Sequence, residues 1–330
     1  MKLLGLRLCD HDSNISYYDG KEVHYFKTER IRGDKHHGYN NLNEWKSDIK
    51  KIWGINYKEI DQIGIVFDTW KYNLPNDSSF PSINYNLYED INLLKVNHHY
   101  AHHLSAWPLL SDLPSSSIVI DGFGDYNISW TIIKNHQIIN QGYLDINGSI
   151  GQELQKVGNL ISIKSSHPAD IAGKVMGIQA YGKIDKGFLN TLKGYSIKNI
   201  KELYNFDLWV QYRTDLLVAQ LNILDWLTTL HYKTSQILLD TFITNFSPKD
   251  KIIYAGGVAQ NVIWNIELKK QFKNLITFPH CSDEGLSLGV IEHLRCINNL
   301  PKFQSINFPY IGYQSKQNLK EKIIKYSLAT

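Results

Sequence analysis

The sequence predicts an α/β protein of two similar lobes, and three observations carry that expectation. A three-strand pattern occurs twice along the chain. Each copy holds the tripeptide Asn-Ile-Ser, at 14–16 and 127–129, a few residues after an acidic turn position, Asp10 or Asp121. Helix-like stretches and further strands follow each copy, the grammar of α/β layers. A repeat of this kind reports architecture before any local motif does.

The elements follow in order. The first copy reads LLGLRL, the turn DHDSN, ISYY, the hairpin dipeptide Asp19-Gly20 and KEVHYFKTER, β-rich runs separated by turn residues. QIGIVFD at 62–68 is a further strand, whereas residues 69–90, rich in Asn, Ser, Pro and Tyr, read as a surface excursion. In VNHHYAHHLSAW, 96–107, Asn97 can cap a helix starting at His98. The second copy runs from Ser117 as SIVI, DGFGDYN, ISWTII, KNH and QIINQGYLD. Residues 183–245 are mostly helical in pattern, enough for two helices covering a sheet. KIIYAGG at 251–257 is a strand running into Gly256-Gly257, with a helix beginning near Val258, and PHCSDEGLSLG at 279–289 is a turn opening an apolar helix. The expected division is a first lobe over 1–115, a second over 116–310 with a helical insertion at about 183–245, and a tail over 311–330.

Composition narrows the function classes. With 330 residues, 43% hydrophobic and 20% charged, the chain suits one large α/β domain or two smaller ones. A net charge of +3 without long like-charge runs gives no electrostatic footprint for nucleic acid. Cys9, Cys281 and Cys296 lack CxxC spacing and fit a reducing compartment. MKLLGLRLCDHD turns polar too soon for a signal peptide, and no apolar run approaches the ~18 residues of a membrane span. A cytoplasmic enzyme or binding protein is expected.

Four histidines crowd six positions in the helix after Asn97. His98 and His102 stand at i and i+4, on one face a turn apart, a spacing that can chelate one divalent ion; His99 and His103 form the same pair on an adjacent face. A site needs a third protein ligand and open positions. Asp283 is the candidate, with Glu284 beside it and His280 and Cys281 as competitors, and it also reads as a helix N-cap. A His, His, carboxylate set suits Fe(II), Zn or Mn. Three stretches of small residues let a backbone approach a ligand: DGFGD at 121–125, GKVMGIQAYG at 173–182 and AGGVAQN at 255–261. Together they favour a nucleotide. Asp121 would hold a metal or water there, and Lys174 would meet phosphate, although a solvated cation is its plainer role.

These residues, in this order, resemble the NodU/CmcH (TobZ-like) carbamoyltransferase family and, more distantly, the tRNA threonylcarbamoyl transferase TsaD. HHYAHHLSAW is similar to the family's HHLAHAASAF, DGFGD to DGxGE, GKVMGIQAYG to GKVMGLAPYG, AGGVAQN to AGGVALN and SDEGLSLGVI to GDDGLALGAA. His11-Asp12 matches an HD turn, and ERIRGDKHH from Glu29 matches ERxxRxKH. The resemblance implies an actin-like, sugar-kinase-like (ASKHA) α/β fold with two duplicated lobes. It implies a metal, iron or another divalent ion, on His98, His102 and Asp283. Gly256, Gly257 and Asn261 would hold the adenosine of carbamoyl adenylate, with Gly122 and Gly124 near its phosphate. His11, Lys35 and His36 would face the transfer site, where a carbamoyl group passes to a substrate hydroxyl.

Two departures stand out. Ala172 replaces the acidic residue of the family's EGKVMG, and the family's second, YrdC-like domain with its GPRALGNRS motif does not follow NFPYIGYQS. That domain makes carbamoyl adenylate from carbamoyl phosphate and ATP, so a separate YrdC-like subunit is expected as partner. The resemblance implies an acceptor hydroxyl, on a small molecule or on a nucleotide or DNA, hydroxymethylated pyrimidines included; the sequence does not choose among them. The rivals are a sugar kinase of the same fold, a threonylcarbamoyl transferase acting on tRNA, and a nucleotide-binding regulatory subunit without turnover.

Overall fold

The computed structural model describes residues 1–8, 11–39, 41, 43–67, 80–88, 91–143, 150–192 and 222–303. Strands β1 (Leu3–Leu8), β2 (Asn14–Tyr18), β3 (Val23–Lys27), β4 (Gln62–Phe67), β5 (Ser82–Tyr88) and β6 (Ile91–Val96) form one sheet in the order β3-β2-β1-β4-β6-β5. Strands β7 (Ser116–Ile120), β8 (Ile128–Lys134), β9 (Gln137–Tyr143), β10 (Ile252–Ala255) and β11 (Leu275–Ile276) form a second in the order β11-β10-β7-β8-β9. In both, an antiparallel meander continues into parallel strands: Leu3 pairs with Tyr18 and Gln62, as Ile118 pairs with Ile132 and Tyr254. The duplication seen as a sequence pattern is thus a duplication of strand order.

The described helices are α1 (Thr28–Arg32), α2 (Glu44–Trp53), α3 (His98–Ser105), α4 (Ile150–Leu160), α5 (Ala169–Ile178), α6 (Lys186–Leu192), α7 (Ile223–Asn245), α8 (Val262–Gln271) and α9 (Leu286–Ile297). Every residue of β1 is buried, because helices cover both of its faces. Leu4, Leu6, Ile63 and Ile65 pack with Trp45 and Ile49 of α2. On the other face Leu3 meets Leu288, Ile291 and Leu294 of α9. The second sheet buries Ile118, Trp130 and Tyr254 against Trp226, Leu238 and Phe242 of α7. None of these helices is long and apolar enough to cross a membrane.

Three local readings change. Part of the stretch read as a surface excursion is β5, SINYNLY, an edge strand antiparallel to β6. Its asparagines disguise a period-two pattern in which Ile83 and Tyr85 share a face and Tyr85 packs on Phe67. Residues 68–79 and 89–90 of that excursion lie outside the described residues. The helix expected near Val258 begins at Val262 instead: Gly257–Gln260 is a 3₁₀ turn, and Asn261 caps α8 by accepting from the Trp264 N–H. The helical reading of 183–245 meets α6 and α7, with 193–221 outside the described residues.

One arrangement positions everything that follows. Helix α3 comes after the first sheet in sequence yet packs on β7 and β10 of the second, while α9 comes after the second and packs on β1, β2 and β4 of the first. The two helices cross in contact. A Cβ on Gly289 would lie 1.9 Å from the Ala101 carbonyl oxygen, and one on Gly5 would lie 2.4 Å from that of Ser287. The helix backbones have no room to retreat, since each already rests on a sheet. Gly289→Ala should therefore cost about 1–3 kcal/mol through overpacking. Thermal unfolding checks this, and an unchanged Tm would refute the close crossing.

Candidate metal centre and cavity

The crossing brings four side chains together. His98 and His102 project from α3, Asp121 directly follows β7 in DGFGD, and Asp283 lies in the 3₁₀ turn Asp283–Gly285 that leads into α9. One ligand atom from each lies within 4.8 Å of all the others, and all four residues are buried. His98 Nε2 is 3.4 Å from Asp121 Oδ2 and 3.4 Å from Asp283 Oδ1; His102 Nε2 is 2.9 Å and 3.3 Å from the same atoms. Bonds of roughly 2.0–2.2 Å to one ion give donor–donor edges of roughly 2.8–3.6 Å in tetrahedral or octahedral geometry. The residues present therefore fit a single divalent ion, and their two nitrogens and two carboxylate oxygens suit Fe(II), Zn or Mn.

Each carboxylate offers one oxygen because the other is taken. Asp283 Oδ2 accepts from Arg7 at 2.6 Å, and the Asp283 carbonyl accepts from Asn14 Nδ2 at 2.9 Å. Asp121 Oδ1 accepts from the N–H of Gly122 at 2.6 Å and of Gly257 at 3.2 Å. Burial alone would raise Asp283, but the Arg7 guanidinium and His98 hold it well below the usual carboxylate range. Burial would likewise lower His98, and the two carboxylates outweigh it, pushing His98 up to about 9. The cluster is a preformed, internally neutralised polar centre.

The other histidine pair serves packing. His99 Nδ1 meets Thr131 Oγ1 at 2.6 Å, and His103 Nε2 meets His136 Nδ1 at 3.2 Å. Burial depresses both, His103 to about 3, so they stay neutral in the interior. His280 and Cys281, the rivals of Asp283, are also tied up: His280 Nε2 meets the Ser105 carbonyl at 2.7 Å, and burial lifts the Cys281 thiol to about 12. Glu284 pairs with Lys27 at 2.5 Å.

A cavity of about 590 Å³ opens beside the centre, lined by Asp121, Asp283 and His98 together with His11, Asp12 and His36. His11 Nδ1 and Asp12 Oδ2 are 3.0 Å apart, and no hydrogen bond to His11 Nε2 occurs among the described residues. The Asp12 hydrogen bond raises His11 above its ordinary value against the opposing effect of burial. His36 is held at both nitrogens, by Asp12 at 2.8 Å and by Asp170 of α5 at 3.1 Å, and stacks on His167. Lys35 also pairs with Asp170. Asp12 and His36 have left-handed φ, 53° and 58°, a strain kept where the surroundings over-determine it.

The glycine turns that read as phosphate cradles stand in part on the cavity wall. Gly122, Gly124 and Gly257 line the cavity. Their N–H groups are used inside the protein, however: Gly122 and Gly257 grip Asp121, Gly124 donates to the Ile128 carbonyl and Gly256 to that of Cys281. Asn261, besides capping α8, bonds His231 at 2.9 Å and stays off the cavity wall. Lys174 also stands away from it and donates to the Lys164 carbonyl at 2.6 Å. Sequence reasoning missed Arg7, Asp170 and His167. For Arg7 a signal existed, a lone charge inside the apolar strand LLGLRL.

Two mixed sheets of matching strand order, with crossed helices between them and a cavity at the junction, define the actin-like, sugar-kinase-like class. Two solved structures share the fold. The activator of the 2-hydroxyisocaproyl-CoA dehydratase from Clostridium difficile, with bound ADPNP, aligns with a TM-score of 0.55 at 12% identity over 91% of this chain and 98% of that one. Component A of the (R)-2-hydroxyglutaryl-CoA dehydratase of Acidaminococcus fermentans aligns with a TM-score of 0.55 at 13% identity over 89% and 97%. Within that class, residues 86–291 match the family described as Carbamoyltransferase N-terminus, and the chain belongs to it. The matched range holds His98, His102, Asp121 and Asp283. Two uncharacterized proteins of Methanocaldococcus jannaschii are similar: MJ1051 at 28% identity over 69% of this chain and 46% of its own length, and MJ1058 at 24% over 72% and 43%. The chain thus spans under half the length of these curated relatives.

The donor geometry predicts one divalent ion per chain, lost on Asp121→Asn or Asp283→Asn and retained on His103→Gln. Metal analysis after dialysis measures this. Full occupancy in the Asp121→Asn protein would remove Asp121 from the ligand set.

Proposed function

We propose that this chain carries the transfer site of an O-carbamoyltransferase, moving a carbamoyl group from carbamoyl adenylate to a substrate hydroxyl. The observation that carries the reading is the four-donor centre in the wall of a cavity that also holds the His11–Asp12 pair. A kinase of the same fold has no need of such a centre.

The chain's own residues supply the steps. Asp12 orients His11 through Nδ1, which leaves Nε2 to take the proton of the attacking hydroxyl. The hydroxyl oxygen bonds to the carbamoyl carbon, the bond from that carbon to the phosphate oxygen breaks, and adenylate leaves with the electron pair. When bound, the ion supplies Lewis acidity toward the carbamoyl oxygen. Arg7, paired with Asp283 at 2.6 Å, holds that carboxylate ionised and in place on the cavity wall. His36, tied at both nitrogens, is suited to holding the cleft in shape rather than to accepting a proton.

Carbamoyl phosphate and ATP would furnish the adenylate through a YrdC-like partner subunit in the cytoplasm; the motif resemblance supports this. The test mixes the purified chain with a YrdC-like protein, ATP, carbamoyl phosphate and a panel of hydroxyl acceptors, sugars and hydroxymethylpyrimidine nucleotides included, and follows carbamoylation by mass spectrometry. Transfer lost on His102→Ala is the expected result, and turnover that persists in metal-free protein would sink the reading. His11→Gln should lower kcat by roughly 10²–10⁴. Because the His11 value is raised, its base form accumulates only as pH climbs above 6.5, so wild-type kcat should rise with pH there. The His11→Gln profile should lack that rise.

A further inference from the structure

We infer that the buried ion pair Lys95–Asp125 sets the spacing between the ligands His98 and Asp121, which makes both members positioning residues; this rests on the metal-centre reading above. Lys95, in β6, is 0% exposed, and its Nζ lies 2.8 Å from Asp125 Oδ1. The ammonium also donates to the Val96 carbonyl at 3.3 Å and lies 5.5 Å from the ring centres of Phe67 and Phe80. The other carboxylate oxygen, Asp125 Oδ2, accepts from the backbone N–H of His98 at 2.8 Å. One carboxylate thus joins a cation of the first sheet to the first peptide of the histidine helix.

Asp125 also belongs to the β7–β8 turn that bears Asp121. That turn is closed by bonds from the Asp121 N–H to the Ser129 carbonyl at 2.8 Å and from the Gly124 N–H to the Ile128 carbonyl at 2.6 Å. Tyr126 and Asn127 complete it in left-handed conformation, with φ of 56° and 62°. Asp125 therefore stands at a fixed distance from Asp121, and whatever Asp125 holds is held relative to Asp121.

Capping the helix is not a sufficient reason for the pair. Asn97, a neutral side chain, already caps α3 by accepting from the Tyr100 N–H at 2.9 Å. A buried ion pair is a weak source of stability, because its desolvation offsets its attraction, and registry is its best-attested use. Here the registry is between two ligands on different elements.

The test follows Co2+ binding by titration of its visible absorption, at a temperature where circular dichroism shows each protein folded. Asp125→Ala and the double variant Lys95→Met/Asp125→Ala should both bind Co2+ at least about tenfold more weakly than wild type, as outer partners of metal ligands do. The double variant, which leaves no unpaired buried charge, should recover Tm relative to Asp125→Ala without recovering affinity. A folded double variant with wild-type affinity, or affinity that returns in step with Tm, would overturn the inference. Failure of the wild type to bind Co2+ would overturn the centre itself and this inference with it.

Discussion

The contact between helices α3 and α9 is the constraint on which the rest depends. Each helix rests on the sheet of the opposite half of the chain, and Gly289 lets them meet at backbone distance over Ala101. That crossing converts sequence separation into proximity. His98 and Asp283 are 185 positions apart, yet Nε2 of the first is 3.4 Å from Oδ1 of the second. A side chain at Gly289 would meet the Ala101 backbone, so the close crossing and the proximity of the four side chains depend on the same glycine.

Concentrating that much polarity in an interior requires balance. Asp121 and Asp283 face two imidazoles, Arg7 takes the spare oxygen of Asp283, and backbone N–H groups take that of Asp121. Lys95 and Asp125 form a second neutral pair a few residues away. Burying any one of these charges alone would be costly. Together they make the oxygens that face inward the least encumbered donors in the site. The N–H groups of Gly122 and Gly257 take part in the same balance by stabilising the Asp121 carboxylate.

Much of this was legible in the sequence because it is carried by local periodicity. The repeated meander, the cap at Asn97 and the i, i+4 pair His98 and His102 are all properties of short windows, and Asp283 is a candidate third ligand there with His280 and Cys281 as competitors. What stayed hidden is set by tertiary placement. Asp121 read as a turn residue that would hold a metal or water beside a nucleotide, not as a neighbour of His98, His102 and Asp283, since nothing local places its second oxygen next to a histidine. Asn261 and the N–H groups of Gly122 and Gly257 read as ligand contacts, because residues able to meet a ligand are equally able to satisfy the protein. Strand β5 was obscured by its asparagines, which lower its hydropathy without disturbing pairing at a sheet edge.

The duplication itself explains how the cavity acquired two unlike walls. The first turn of one lobe carries His11 and Asp12, and the corresponding turn of the other carries Asp121 to Asp125; both line the cavity. Equivalent positions in the two sheets thus face each other across one space. One turn offers an imidazole with an orienting carboxylate, and the other offers a carboxylate fixed by backbone donors. Neither turn alone gathers this set of side chains, since the imidazole comes from one and the carboxylate held by N–H groups from the other. Symmetric architecture with asymmetric turns thus places two unlike sets of side chains on one cavity.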